Sequence, residues 1–145
     1  MNMRGFVVIE LLVVIAIIVI LGALALPLYT SFIATTQFDN ATRDIAEALR
    51  RAQAKAWGSD ANNQWGVHFE NDRFVVFQGT SWALRNSAFD EPQTTPSTVT
   101  LSSSPLDIIF KKNGSANSDG TVTINESGGK TKNIIISSEG VIDAL

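Results

Sequence analysis

Hydrophobic positions along this chain change their spacing twice. Residues 6–28 form one apolar run of mostly Leu, Ile, Val and Ala in which Glu10 is the single charge. Its core of roughly 21 residues, at about 1.5 Å each, extends ~31 Å as a helix, the thickness of a bilayer's hydrocarbon core. The run therefore predicts a membrane-crossing helix. Arg4 is the only charge before it, so the positive-inside rule predicts a cytoplasmic N-terminus with the rest of the chain across the membrane.

Over residues 29–58 the spacing becomes helical and one-sided. Phe38, Ala41, Ile45, Leu49, Ala52 and Ala56 recur at three- and four-residue steps, which predicts an amphipathic helix whose stripe packs on a sheet. Gly58-Ser59-Asp60 supplies its stop signal. Beyond it the pattern alternates as strands do. Trp65-Gly66-Val67-His68-Phe69 and Phe74-Val75-Val76-Phe77 flank a turn at Asn71-Asp72, and Leu106-Asp107-Ile108-Ile109-Phe110 gives a third strand. Thr121-Val122-Thr123-Ile124 and Lys132-Asn133-Ile134-Ile135-Ile136 pair around Ser127-Gly128-Gly129, and Gly140-Val141-Ile142 closes the sheet. Residues 79–105, rich in Ser, Thr and Pro, read as a long loop pinned to the core by Trp82, Leu84 and Phe89. The expected fold class is α+β: a long N-terminal helix, its first half membrane-embedded and its second half amphipathic, packed on a small antiparallel β-sheet domain.

Composition narrows the function. The chain has 145 residues and a formal net charge of −3, with a pI near 5.0, which argues against a strongly basic nucleic-acid surface. With no cysteine, neither disulfides nor thiol chemistry are available.

Glu10 is the feature an ordinary anchor does not need, since a charge inside a membrane segment costs about 2.5–3.5 kcal/mol on insertion scales. Two plainer readings stay open on the residues alone. A signal anchor explains length and orientation. A cleavable secretory signal is suggested by the small-x-small triplet Ala23-Leu24-Ala25, although the run exceeds the usual h-region. Pro27, with Gly22 one turn before it, makes residues 20–28 the weakest part of the helix, where a kink or local melting is expected on packing.

The run Gly5-Phe6-Val7-Val8-Ile9-Glu10-Leu11-Leu12-Val13-Val14-Ile15-Ala16-Ile17 resembles the class III signal of type IV pilins and type II secretion pseudopilins. In that pattern a short basic leader ends in Gly, followed by Phe, three apolar residues, Glu and a long apolar helix; a proline at the position of Pro27 also fits. The resemblance implies cleavage by a prepilin peptidase between Gly5 and Phe6, N-methylation of Phe6, and engagement of Glu10 during filament assembly. A Glu10 carboxylate one turn from a new Phe6 amine can neutralise the amine of a neighbouring subunit, and in low dielectric such a pair recovers much of its desolvation cost. The element order, with Phe110-Lys111-Lys112-Asn113-Gly114 and Ser138-Glu139-Gly140-Val141 late in the chain, is similar to the GspH/FimT class of minor pseudopilins. The implied organisation is a leader at residues 1–5, a transmembrane and filament-core helix at 6–28, an amphipathic helix at 29–58 and a periplasmic β-rich domain at 59–145.

Other chemistry is sparse. His68 is the one histidine, and a lone strand histidine is expected to be structural. Asn113, Asn117, Asp119 and Glu126 could offer oxygens to calcium, yet Asn113-Gly114 and Asp119-Gly120 are also turn signals, and no metal or cofactor is expected. Lys111, Lys112, Lys130 and Lys132 form a solvated patch, or a phosphate-binding one if their strands adjoin.

The expected function is therefore a structural subunit, a minor pseudopilin or minor pilin of a type II secretion pseudopilus or type IV pilus, and not an enzyme. Expected partners are other pilin-like subunits through the N-terminal helix, the prepilin peptidase and an inner-membrane assembly platform, with no small-molecule substrate. The expected location is the bacterial inner membrane, single-pass, then the filament. The alternative is a filament-borne module capturing DNA, as FimT-like members do in natural transformation, or a secreted substrate. Its DNA form is disfavoured because Val141-Ile142-Asp143-Ala144-Leu145 lacks the basic residues that DNA-binding members carry there.

Overall fold

The computed structural model describes residues 3–58 and 63–144, with side chains for residues 7–23, 29–58 and 63–144. One helix, α1 (Met3–Trp57), leads into eight strands. The chain divides into two compact units, Met1–Thr35 and Thr36–Leu145.

In the first unit α1 is apolar on every side. Val7, Val8, Ile9, Leu12, Val13 and Val14, which at about 100° per residue circle the axis, are all exposed. Among the described residues no helix is long and apolar enough to cross a membrane, so the span expected over residues 6–28 is not met there.

In the second unit the helical stripe is buried as its spacing requires. Phe38, Ala41, Ile45, Leu49, Ala52 and Ala56 all belong to the core. Three of the six are alanine, which lets the backbone of α1 approach its neighbours closely. Thr42, buried among them, satisfies its hydroxyl by donating to the Phe38 carbonyl at 2.9 Å, the usual solution for a threonine inside a helix. The helix ends at Trp57, where Gly58 N–H donates back to Ala54 O.

The strands are β1 (Trp65–Phe69), β2 (Arg73–Gln78), β3 (Asn86–Thr94), β4 (Val99–Ser104), β5 (Asp107–Phe110), β6 (Gly120–Glu126), β7 (Thr131–Ile136) and β8 (Ile142–Ala144). Both expected hairpins form, with Val67 opposite Val76 and Val122 opposite Ile134. The expected single small sheet is instead two four-stranded antiparallel sheets, ordered β3-β2-β1-β5 and β4-β6-β7-β8. Their alternate residues, Val67, Phe69, Phe74, Val76, Ile108 and Phe110 from one and Val99, Leu101, Val122, Ile124, Ile134 and Ile136 from the other, share one core with the helical stripe.

Residues 79–105 are not the unstructured loop the composition suggested. They hold a 3-10 turn (Trp82–Leu84), β3 and β4. In β4 the pattern Val99-Thr100-Leu101-Ser102 alternates buried and exposed positions, so its hydroxyl residues face outward rather than mark a loop. β3 is an edge strand, where Pro92 removes no ladder bond that the sheet requires. Trp82 does pin this region, but Leu84 points outward at 76% exposure. The last strand starts at Ile142 rather than Gly140 and adds to the edge of β7, Ile136 opposite Ile142.

Candidate assembly site

Glu10 stands exposed on the first unit's helix, amid exposed Val7, Val8, Ile9, Leu11 and Leu12. Among the described residues none pairs with its carboxylate. A lone carboxylate on an apolar cylinder can do one chemical thing well: accept a cation supplied from outside this unit. The side chains of Gly5, Phe6 and Pro27 lie outside the described residues. α1 continues through Gly22 and Pro27 without interruption, and a Cβ added at Gly22 would meet nothing within 4 Å.

The second unit is organised around a contact the sequence did not announce. Gln53, one residue past the buried Ala52, donates through Nε2 to the carbonyls of Gly114 and Gly140, both at 2.7 Å. The β5–β6 and β7–β8 connections are thereby clasped to α1. Ala116 N–H donates to Ser138 O at 3.1 Å and Asp119 Oδ1 accepts from Ser138 N–H at 2.6 Å, joining the two connections to each other. Gly114 and Gly140 have φ of +80° and +90°, the left-handed region that favours glycine. These are the two late glycines on which the family resemblance rested. Nothing in the periodicity marks Gln53, because its partners are 61 and 87 residues away.

The remaining candidates resolve into structural roles. His68, its side chain 12% exposed, places Nδ1 2.5 Å from Asp107 Oδ1 and stacks on Trp82 with centroids 4.1 Å apart. The other Asp107 oxygen accepts from Trp82 N–H, and Arg85 lies 3.6 Å from the Trp82 ring centroid while bonding Asp90. This stack holds the 3-10 turn on the first sheet. Asn113 Oδ1 accepts from Ser115 N–H and hydroxyl and Asp119 Oδ1 from Ser138 N–H, so both hold loop backbone in place. Glu126 is buried, with Lys130 Nζ 4.0 Å away. No group of three or more metal-ligating side chains is gathered among the described residues.

The four lysines are not brought into one cluster. Lys132 bonds Asp39 at 2.9 Å beside the Phe38 ring, whereas Lys111 donates its N–H to Ser115 O in the loop that Gln53 holds. Asp39 and Gln53 are about 20 Å apart along α1. The Lys132 hydrogen bond holds the Asp39 carboxyl below its usual range, helped by the charges of Lys132, Arg43 and Lys130.

Comparison with known proteins follows this architecture. The family model for type II transport protein GspH matches residues 41–140. The structure of the minor pseudopilin EpsH from the type 2 secretion system of Vibrio cholerae superposes with a TM-score of 0.60 at 15% identity, covering 75% of this chain and 96% of that one. A second EpsH crystal structure gives 0.60 at 12% identity, over 76% and 94%. These show the fold. The type IV major fimbrial protein FimA of Dichelobacter nodosus is 40% identical over 77 residues, 48% of this chain. The chain spans about half the length of the curated relatives it matches, 47%. Since the matched region takes in the helical stripe from Ala41, strands β1 to β7 and the two glycines clasped by Gln53, the chain belongs to the GspH family of type II transport proteins.

Proposed function

We propose that the chain is a minor pseudopilin, a structural subunit of a type II secretion pseudopilus or a related type IV pilus, and that it carries out no catalysis. The observation that supports this most directly is the first unit: a helix with large apolar side chains exposed all around it and one carboxylate, Glu10, among them. Such a surface is stable only against lipid or other apolar helices. The charge-free sequence continues past residue 23 to Asp39, which favours a helix inserted in the inner membrane, single-pass, before it enters a filament.

In this reading a prepilin peptidase cuts between Gly5 and Phe6 and the Phe6 amine is methylated. Glu10 accepts the amine of a neighbouring subunit, and Gly22 and Pro27 let the helix adapt on packing. The second unit stands in the periplasm, and the partners are other pilin-like subunits and an inner-membrane platform. No observation favours the DNA-capture alternative: Lys132 is engaged by Asp39, and Lys111 lies in the loop that Gln53 holds further along α1. The test is the N-terminal residue and mass of the chain co-expressed with a prepilin peptidase. A start at Phe6 with one added methyl is expected; a start at Leu26, or an intact leader, would overturn the reading.

A further inference from the structure

The charge-free part of α1 is longer than a bilayer needs. Between Glu10 and Asp39 the sequence carries no charge, about 28 residues or roughly 42 Å of helix, against a hydrocarbon core of about 30 Å. Hydropathy alone leaves the register of insertion open by about eight residues.

Two independent features close that gap. Tyr29 and Phe32 are 66% and 69% exposed, and at a spacing of three they lie on one side of the helix. An aromatic ring with an apolar body prefers the layer between headgroups and acyl chains, and a tyrosine hydroxyl adds a hydrogen bond to that layer. Glu10 also precedes Tyr29 by about 28 Å of helix, close to one hydrocarbon thickness. With Tyr29 at one interface, the carboxylate reaches the other and stays hydrated. A register that submerged the helix from Phe6 onward would instead leave Glu10 about 6 Å inside the apolar layer and carry Phe32 about 9 Å beyond its far edge, past a headgroup layer of roughly 5–7 Å.

We propose that, in the unassembled subunit, Tyr29 and Phe32 seat the helix in the headgroup layer of a phospholipid bilayer in a register that places Glu10 in the opposite headgroup layer. This rests on the membrane insertion proposed above. Glu10 then crosses into an apolar setting only when a neighbouring helix brings it a cation, so the subunit leaves the bilayer with its charge paired.

The chain has no cysteine, so single labels report depth without background. The full chain, spin-labelled at Ile9→Cys, Ile20→Cys or Ser31→Cys, is reconstituted into vesicles of phosphatidylethanolamine and phosphatidylglycerol. Depth is read from relative accessibility to oxygen and a water-soluble nickel chelate. Labels at 9 and 31 should be shallow and the label at 20 deepest. Tyr29→Ser with Phe32→Ser should move the label at 20 by about one helical turn, ~5 Å, and Tyr29→Trp with Phe32→Trp should restore it. A label at 31 in bulk water with a label at 9 deeply buried, or a label at 20 unmoved by the serine pair, would overturn the register. A label at 20 with no lipid exposure at all would overturn the membrane insertion itself, and the register with it.

Discussion

A Cβ placed on Gly140 would overlap the carbonyl oxygen of Gly114 and stand 2.8 Å from Gln53 Nε2. The two glycines differ sharply in this respect. At Gly114 a Cβ would find its nearest neighbour, a Trp57 ring carbon, at 3.7 Å, an ordinary contact.

That contrast predicts unequal penalties for the same substitution. Gly114→Ala should cost only the left-handed backbone preference, about 1 kcal/mol. Gly140→Ala adds backbone overlap and the forced displacement of Gln53, and should cost on the order of 3 kcal/mol. Thermal unfolding of the two variants side by side checks this; equal losses would mean the clasp yields freely.

Gln53 predicts a second, chemically graded series. Gln53→Leu keeps bulk but leaves two carbonyls without their donor, a loss of roughly 1–3 kcal/mol. Gln53→Glu should be worse at neutral pH, because a carboxylate would face two carbonyl oxygens. Its deficit should shrink on acidification, since a protonated carboxyl can donate to one of them. Urea unfolding at pH 7 and pH 4 distinguishes the two variants.

The pair of Asp39 and Lys132 predicts a pH signature. Asp39 titrates below its ordinary value of 3.8 in the folded chain, first because of the Lys132 hydrogen bond. A carboxyl lowered on folding contributes stability that is fully present above the unfolded value and is lost as pH falls through the folded one. The stability difference between the natural chain and Lys132→Met should thus hold steady from pH 7 to about 4 and fade below it. Both groups are well exposed, 46% and 40%, so the difference should also shrink in high salt.

At the other unit the variants separate processing from assembly. Gly5→Ala should block cleavage and retain the unprocessed chain in the membrane. Glu10→Ala should be cleaved normally yet enter filaments poorly, as measured by immunoblot of sheared filaments against whole-cell levels. Normal incorporation of the Glu10 variant would remove the charge-pairing argument.

The parts of this fold legible in the sequence are those in which one periodicity serves one buried face. All six stripe residues from Phe38 to Ala56 are in the core, and the hairpins turning at Asn71-Asp72 and Ser127-Gly128-Gly129 formed as the alternation required. What escaped was structure whose signal lies elsewhere. β4 exposes Thr100 and Ser102, so its composition resembles a loop. β3 has no buried residue and contains Pro92. Splitting the strands into two sheets depends on pairings such as Trp65 with Phe110, far apart in the chain. Gln53 escaped for the same reason.

The strand edges carry a consequence for how such a subunit behaves when crowded. One sheet ends in β3, interrupted by Pro92 and bearing Asp90 and Glu91, and the other ends in β8, three residues long. Neither offers a long flat edge on which a second copy could template further pairing. At these two edges a waiting subunit is therefore poorly suited to pair strand to strand with another copy, which leaves the exposed apolar helix of the first unit as the surface on which copies join.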